Sequence, residues 1–134
     1  MPLNASTTCP CGSQESLHKC CSPLILQGAK ALTAEQLMRS RYTAHTLLAV
    51  DYLWHTWSPA RRGDSSPEAI WQWASRCQWL GLNILACEAG GIDDNEGHVT
   101  FCARYRLEGQ TQYHLEKSLF RRENGLWRYL DHAP

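Results

Sequence analysis

A chain of 134 residues has room for one ordinary globular core and an appendage, but not for two cores of comparable size. Its 13 Lys and Arg balance its 13 Asp and Glu, so net charge does not point to a nucleic-acid or membrane-surface binder, and such a role would need a local patch. No apolar run approaches the roughly 18 to 20 residues that cross a bilayer, and the first five residues lack the charged and apolar regions of a secretory signal, so the expected location is the cytoplasm, without membrane contact.

The first segment, residues 1–25, carries Pro10, Gly12, Ser13 and Pro23 but no periodicity long enough to bury a core. It also holds four of the seven cysteines. An odd total crowded at one end fits metal ligation in a reducing compartment better than a disulfide framework. Cys9 and Cys11 form one close pair, Cys20 and Cys21 another. Zinc takes four tetrahedral soft ligands, so a single structural Zn2+ ion on these thiolates would replace the missing core. Pro10 stiffens the first pair, while the Gly12-Ser13 turn amides and Lys19 can offset thiolate charge. The alternatives are ordinary buried thiols, disulfides formed on oxidation, or His18 in place of one member of the second pair.

Thr33 followed by Gln36 is a capping box, and the spacing predicts a helix over residues 34–57. Pro59, Gly63 and Pro67 close it. Ser66-Pro67-Glu68 opens a shorter helix through Ile70, Trp71, Trp73 and Ala74. Alternation then predicts strands near residues 79–88, 99–107, 111–122 and 126–131, separated by Gly90-Gly91, Glu108-Gly109 and Asn124-Gly125. Cys77, Cys87 and Cys102 fall at apolar positions, where a free cysteine is usually a small buried hydrophobe. Two helices leading into an antiparallel meander imply an α+β cone, a curved antiparallel sheet wrapped over helices with a concave interior.

The Cys9-Pro10-Cys11-Gly12-Ser13 run through Cys20-Cys21 resembles the SEC-C zinc motif. Further blocks, Leu37 to Tyr42, Asp51-Tyr52-Leu53 with Thr56-Trp57, Trp79 to Leu82, and Asn124 to Tyr129, resemble the YchJ-like family in the right order along nearly the whole chain. The resemblance implies a nuclear-transport-factor-two-like (cystatin-like) cone over residues 26–134 behind the zinc segment. It departs from the pattern at Gln14, where the motif usually has a second glycine, and in lacking the second SEC-C copy that many relatives carry after the cone. The SEC-C segment of the SecA ATPase docks on a chaperone and the ribosome, and carrying those partners over is analogy.

If Asn124-Gly125 makes a two-residue type I′ turn, Arg122 faces Trp127, Phe120 faces Tyr129 and Ser118 faces Asp131. Glu116, Ser118, Phe120, Trp127, Tyr129 and Asp131 then share one face, an aromatic wall with a few orienting polar atoms. At helical spacing Met38, Tyr42, His45, Ala49 and Tyr52 lie on one stripe with Arg41 on its flank. Arg41, Tyr42 and His45 would therefore meet Glu116, Ser118, Tyr129 and Asp131 around a ligand pocket. There a carboxylate in apolar surroundings can act as a base and a tyrosine as an oxyanion donor. The plainer alternative is an ion pair of Arg41 with Glu116 or Asp131 that ties helix to sheet.

Three functions follow from these features. The first is a zinc-stapled module that binds a protein or ribosomal partner through the knuckle. The second is an enzyme or small-ligand binder using the cone interior. The third is RNA contact through a basic sheet face built from Arg61-Arg62, Arg104, Arg106, Arg121-Arg122 and Arg128, in which Arg121 and Arg128 are cross-strand neighbours and call for a carboxylate or anion between them.

Overall fold

The computed structural model describes residues 7–132. The first five residues, on which the reading of a missing signal rests, and the ends of the expected segments 1–25 and 26–134 lie outside the described residues. Among the described residues, no helix is long and apolar enough to cross a membrane.

A small antiparallel bridge, Thr8 with Ser16, closes the first turn of chain. A 3-10 turn, Leu17–Lys19, and α1, Ser22–Leu26, follow. The main helix α2, Ala34–Leu47, starts where Thr33 accepts from the Gln36 amide at 3.1 Å, while the Gln36 side chain reaches the Leu32 amide at 2.6 Å.

The helix expected over residues 34–57 is broken. Leu48 adopts a left-handed conformation (φ 56) that ends α2, and α3, Val50–His55, runs separately. The reason is tertiary. Arg41 Nη1 donates to the Leu53 carbonyl at 2.9 Å and to Thr56 Oγ1 at 2.6 Å, and Ser40 Oγ lies 2.7 Å from Tyr52 Oη. Residues 12 apart on one continuous helix stand about 18 Å apart, so these bonds require the chain to fold back. A turn at Pro59–Arg61 leads to α4, Pro67–Arg76, capped by Ser66, which accepts from the Ala69 amide.

Four strands follow, β1 Cys77–Ala89, β2 Glu96–Leu107, β3 Gln110–Glu123 and β4 Leu126–His132, in the order β1-β2-β3-β4 and all antiparallel. This is an α+β NTF2-like arrangement, but the expected curved cone is not found: the sheet is open, neither closed nor strongly curved. A bulge is what bends a strand pair, and the central pair β2/β3 runs from Glu96↔Arg121 to Leu107↔Gln110 without a register shift. Shifts occur only in β1, at Trp79/Gly81 and Ile84/Ala86, and at Leu119/Phe120 beside β4.

The core joins all parts of the described chain. Cys9, Cys11, Leu17 and Cys21 pack in one cluster with Leu37, Met38 and Tyr42 of α2 and with Leu82, Val99, Phe101, Phe120 and Trp127 of the sheet. Cys87 departs from the expectation of a buried thiol. It is exposed, with its Sγ 3.4 Å from Glu35 Oε1, while Cys77 and Cys102 are half-buried.

Candidate functional site

Two constellations stand out, one of sulfur and one lining a cavity. The Sγ atoms of Cys9, Cys11, Cys20 and Cys21 all lie within 4.8 Å of one another. Cys11 and Cys20 are 3.6 Å apart, Cys20 and Cys21 3.8 Å. Sulfurs about 2.3 Å from a central tetrahedral ion stand about 3.8 Å apart, whereas a disulfide needs about 2.05 Å. The four thiols are free and fit a metal ion. Cys9, Cys11 and Cys21 are buried, Cys20 half-buried. His18, the substitute ligand considered above, is exposed and outside the cluster.

The chain builds this geometry locally and then docks it. Gly12, at φ +84, makes the turn after Cys11, and a Cβ there would stand 2.9 Å from the Leu82 carbonyl oxygen of β1. Gln14 occupies the left-handed region as well, at φ 72. Ser13 Oγ lies 3.1 Å from Cys20 Sγ. From α2, Arg39 Nη1 donates to the Cys11 carbonyl at 2.8 Å with Cys11 Sγ at 3.9 Å, and Thr43 Oγ1 lies 3.5 Å from Cys9 Sγ. Arg39 thus takes the charge-offsetting place expected of Lys19. Arg39 and Thr43 are one helical turn apart, so the face that carries both was readable from spacing, although nothing local in the sequence says that the knuckle packs there. Hydrogen bonds from Cys21 and Cys9 hold the Cys11 thiol far below the ordinary range, and the reciprocal bonds raise Cys21. Burial pushes Cys20 up to about 11.

The second constellation surrounds a cavity of about 240 Å³ between α2, α4 and the sheet. Of the seven residues expected around a pocket, Arg41, Tyr42, His45, Glu116, Ser118 and Tyr129 line it, and Asp131 does not. The register explains the exception. Arg122↔Trp127 and Phe120↔Tyr129 pair as expected from the turn, where Asn124 and Gly125 both have positive φ, but the shift at Leu119/Phe120 sets Asp131 opposite Leu119 and His132 opposite Ser118. Asp131 instead pairs with His132 at 2.9 Å.

Glu116 is the best-held group in the cavity wall. Its Oε1 is 2.8 Å from His114 Nε2, and its Oε2 accepts from Ser118 Oγ at 2.5 Å and Tyr129 Oη at 2.8 Å. Burial alone would raise its pKa, yet these three donors outweigh it and hold the carboxyl down at about 2. The bond to Glu116 raises His114 in turn, and burial beside Glu116 raises Tyr129.

The alternative ion pair of Arg41 with Glu116 or Asp131 does not form: Arg41 spends Nη1 on α3 and stacks its guanidinium 4.8 Å from the Tyr129 ring centroid. Burial lowers it to about 10, so it stays charged at neutral pH. Burial, with the Arg41 charge, lowers His45 to about 4, and its Nδ1 is 2.8 Å from the Arg41 carbonyl. Tyr42 is pushed up to about 12 by burial.

His114, Phe101, Tyr105, Trp73 and Trp79 also line the cavity and were not anticipated. His114 precedes Glu116 by two on the same strand, so extending the alternation one step would have found it. Phe101 and Ala103 follow from the β2/β3 register, which places them opposite Glu116 and His114.

Three comparisons fit this picture. The family model described as "YchJ, middle NTF2-like domain" matches residues 33–132. A UPF0225 protein of Geobacter sulfurreducens is 45% identical over 123 residues, covering 92% of this chain and 76% of that one. A UPF0225 protein of Chromobacterium violaceum is 43% identical over 129 residues, covering 94% of this chain and 92% of that one. Among solved structures, a SEC-C motif containing protein from Rhodopseudomonas palustris superposes with a TM-score of 0.85 at 34% identity, covering 95% of this chain and 98% of that one. A SEC-C motif containing protein from Psychrobacter arcticus gives 0.78 at 29% identity, covering 95% and 82%.

Proposed function

The chain belongs to the YchJ/UPF0225 family, and from that premise we propose that it is a zinc-stapled domain that binds a small ligand. One structural zinc ion is held by Cys9, Cys11, Cys20 and Cys21, and the ligand sits in the cavity lined by Arg41, Tyr42, His45, Glu116, Ser118 and Tyr129. The observation that carries this reading is the closure of the cysteine set. Four converging thiols, three from buried residues, leave no open position for substrate, which is the mark of a structural rather than a catalytic zinc. An all-sulfur tetrahedral set suits zinc and not the hard divalent ions. Recognition then falls to the other built site.

The cavity favours binding over proton transfer. A carboxyl at about 2 with both oxygens already accepting is a poor base, and His45 at about 4 is neutral at pH 7. A reducing compartment, and hence the cytoplasm, is consistent with free, metal-ready thiols.

A protein or ribosomal partner on the knuckle is the second reading, favoured by the exposure of Gln14, Glu15, His18 and Lys19 on its outer side. RNA contact through the basic face has less support. Arg121 and Arg128 do face each other across β3 and β4, but Glu96 stands 3.4 Å from Arg121 and Glu123 3.9 Å from Arg128.

Elemental analysis of freshly prepared, reduced protein tests the metal: one zinc per chain is expected, and a metal-free chain with residues 7–25 still ordered overturns the staple. A fragment screen by NMR tests the cavity. Ligand-induced shifts on Met38, Phe101 and Ala103 support it, and a broad panel that moves none of them removes the ligand reading. Pull-down with His18→Ala and Lys19→Ala tests the second reading, which a partner list unchanged by both would sink.

A further inference from the structure

Arg41 is a cation in the cavity wall with no ion-pair partner among the described residues. It is 8% exposed, and it lines the cavity beside His45 and Tyr129. Its only hydrogen bonds among the described residues are the two from Nη1 to Leu53 and Thr56, which leave Nε and Nη2 without a hydrogen-bond partner. Among the described residues, no carboxylate comes within ion-pair distance of it. Glu116 shares the cavity, but its oxygens are turned to His114, Ser118 and Tyr129, and neither reaches the Arg41 guanidinium within ion-pair distance. A buried charge left unmatched is costly, and a ligand that supplies the opposite charge offsets that cost.

Resting on the reading of this cavity as a ligand site, we propose that it takes a monoanionic aromatic carboxylate, with the carboxylate on the free edge of Arg41 and the ring among Trp73, Trp79 and Tyr105. A carboxylate suits Nε and Nη2 because its two oxygens match the parallel donors of a guanidinium edge. A single negative charge suits the site because Nε and Nη2 offer one free donor pair, and a dianion such as a phosphate monoester would place surplus charge near Glu116.

The aromatic body follows from the walls. Trp79 lies 5.4 Å from Tyr105 and Trp73 5.5 Å from Tyr105 between ring centroids, and Tyr42 stands edge-on to Trp79 at 5.9 Å. Trp73 is 39% exposed, a large ring left partly open at the cavity rim. Rings in such a cluster accept another at offset or edge-on geometry. At about 240 Å³ the space falls just below the ~300–1,000 Å³ of drug-sized sites, which limits the occupant to a small ring system. His45 adds a preference. With Nδ1 donating to the Arg41 carbonyl in the neutral ring, Nε2 is left as an acceptor for a hydroxyl or N–H on the ligand.

The test uses the intact, zinc-loaded chain and three probes of similar shape: phenylacetate, phenylacetamide and phenethylammonium. Calorimetric titration should show phenylacetate bound about tenfold or more tighter than phenylacetamide, the difference a charge-assisted bond makes, and phenethylammonium bound weakest. Arg41→Gln should bring the ratio of acid to amide affinity close to one. Because Arg41 also ties α2 to α3, Trp73→Ala provides an independent check: it should weaken acid and amide alike while preserving their ratio. Equal binding of acid and amide, or tightest binding of the ammonium probe, overturns anion recognition and leaves a ligand cavity standing. Failure of all three probes also overturns the proposal, and the cavity reading falls with it only if the fragment screen moves no cavity resonance.

Discussion

The Arg39 guanidinium donates to the Cys11 carbonyl at 2.8 Å while standing 3.9 Å from the Cys11 sulfur. One side chain of the main helix therefore both fixes the first cysteine turn and sets a positive charge beside a thiolate. Its Nε also meets Glu35 Oε2 at 2.9 Å, which orients it. Groups that hold metal ligands in place typically matter about 10- to 100-fold in metal affinity. Arg39→Ala should accordingly release zinc to a chromogenic chelator about tenfold faster or more readily, with far-ultraviolet circular dichroism unchanged. Release at the parent rate would mean that Arg39 is only a surface partner of Glu35.

Gly12 and Gln14 give opposite expectations two residues apart. Gly12→Ala should destabilise by about 1–3 kcal/mol, because its Cβ would press on the Leu82 carbonyl oxygen at 2.9 Å from a backbone at φ +84. Gln14→Gly should stabilise by up to about 1 kcal/mol, since a side chain already pays the left-handed penalty at φ 72 without a steric need for it. Thermal melts of the two zinc-loaded variants decide the matter, and a Gln14→Gly chain that melts lower than the parent would show that the Gln14 side chain contributes something beyond its backbone.

The parts of this molecule that a sequence reader can see are those set by local chemistry. The cap at Thr33, the cap at Ser66, the Asn124-Gly125 turn and the two cysteine pairs are each written within a few residues, and the structure places each where it was expected. What was invisible depends on contacts between distant segments. Leu48 turns left-handed without a glycine, because Arg41 and Ser40 draw α3 back along α2. The single register shift at Leu119/Phe120 removes Asp131 from the cavity face, and no residue type there announces a bulge. That the sheet is neither closed nor strongly curved has the same origin, since the unbroken β2/β3 ladder is something strand propensities alone do not guarantee. Arg41 was recognised as a cavity residue, but its partners lie 12 and 15 residues away across a break that periodicity did not show.

Metal removal should affect the whole domain. Cys9, Cys11, Leu17 and Cys21 share a core with Leu37, Met38, Phe101 and Trp127, so opening the knuckle exposes the flank of α2 and the inner face of the sheet. The metal-free chain, or Cys11→Ser, should melt in one cooperative transition at lower temperature, with tryptophan fluorescence and backbone circular dichroism moving together. If the knuckle unfolds alone and the tryptophan transition stays put, the knuckle is an independent unit and the shared core contributes little.

The cavity groups make stability depend on acid in two separable windows. His45 has a folded pKa of about 4 against an ordinary 6.5 because burial disfavours its charge. The unfolded chain therefore binds the extra proton, and stability falls as pH drops from about 6.5 to 4. Glu116 has a folded pKa of about 2 against 4.5. Its contribution is fully present above 4.5 and is lost as pH falls towards 2, about 3 kcal/mol in all at this degree of burial. His114 acts in the opposite sense: its pKa is raised by Glu116, so its contribution is complete below 6.5 and fades as pH rises through the raised value. The groups facing Glu116 are His114, Ser118 and Tyr129, with Arg41 farther off. Glu116→Gln should flatten the acid limb below 4.5 and abolish the His114 loss at the alkaline end, while leaving the 6.5-to-4 slope of His45 intact. Urea midpoints measured from pH 3 to 8 on parent and variant isolate these differences from acid effects on the cysteine cluster, which both proteins share. A variant whose midpoint runs parallel to the parent across the whole range would show that the three donors around Glu116 hold no ionised carboxylate.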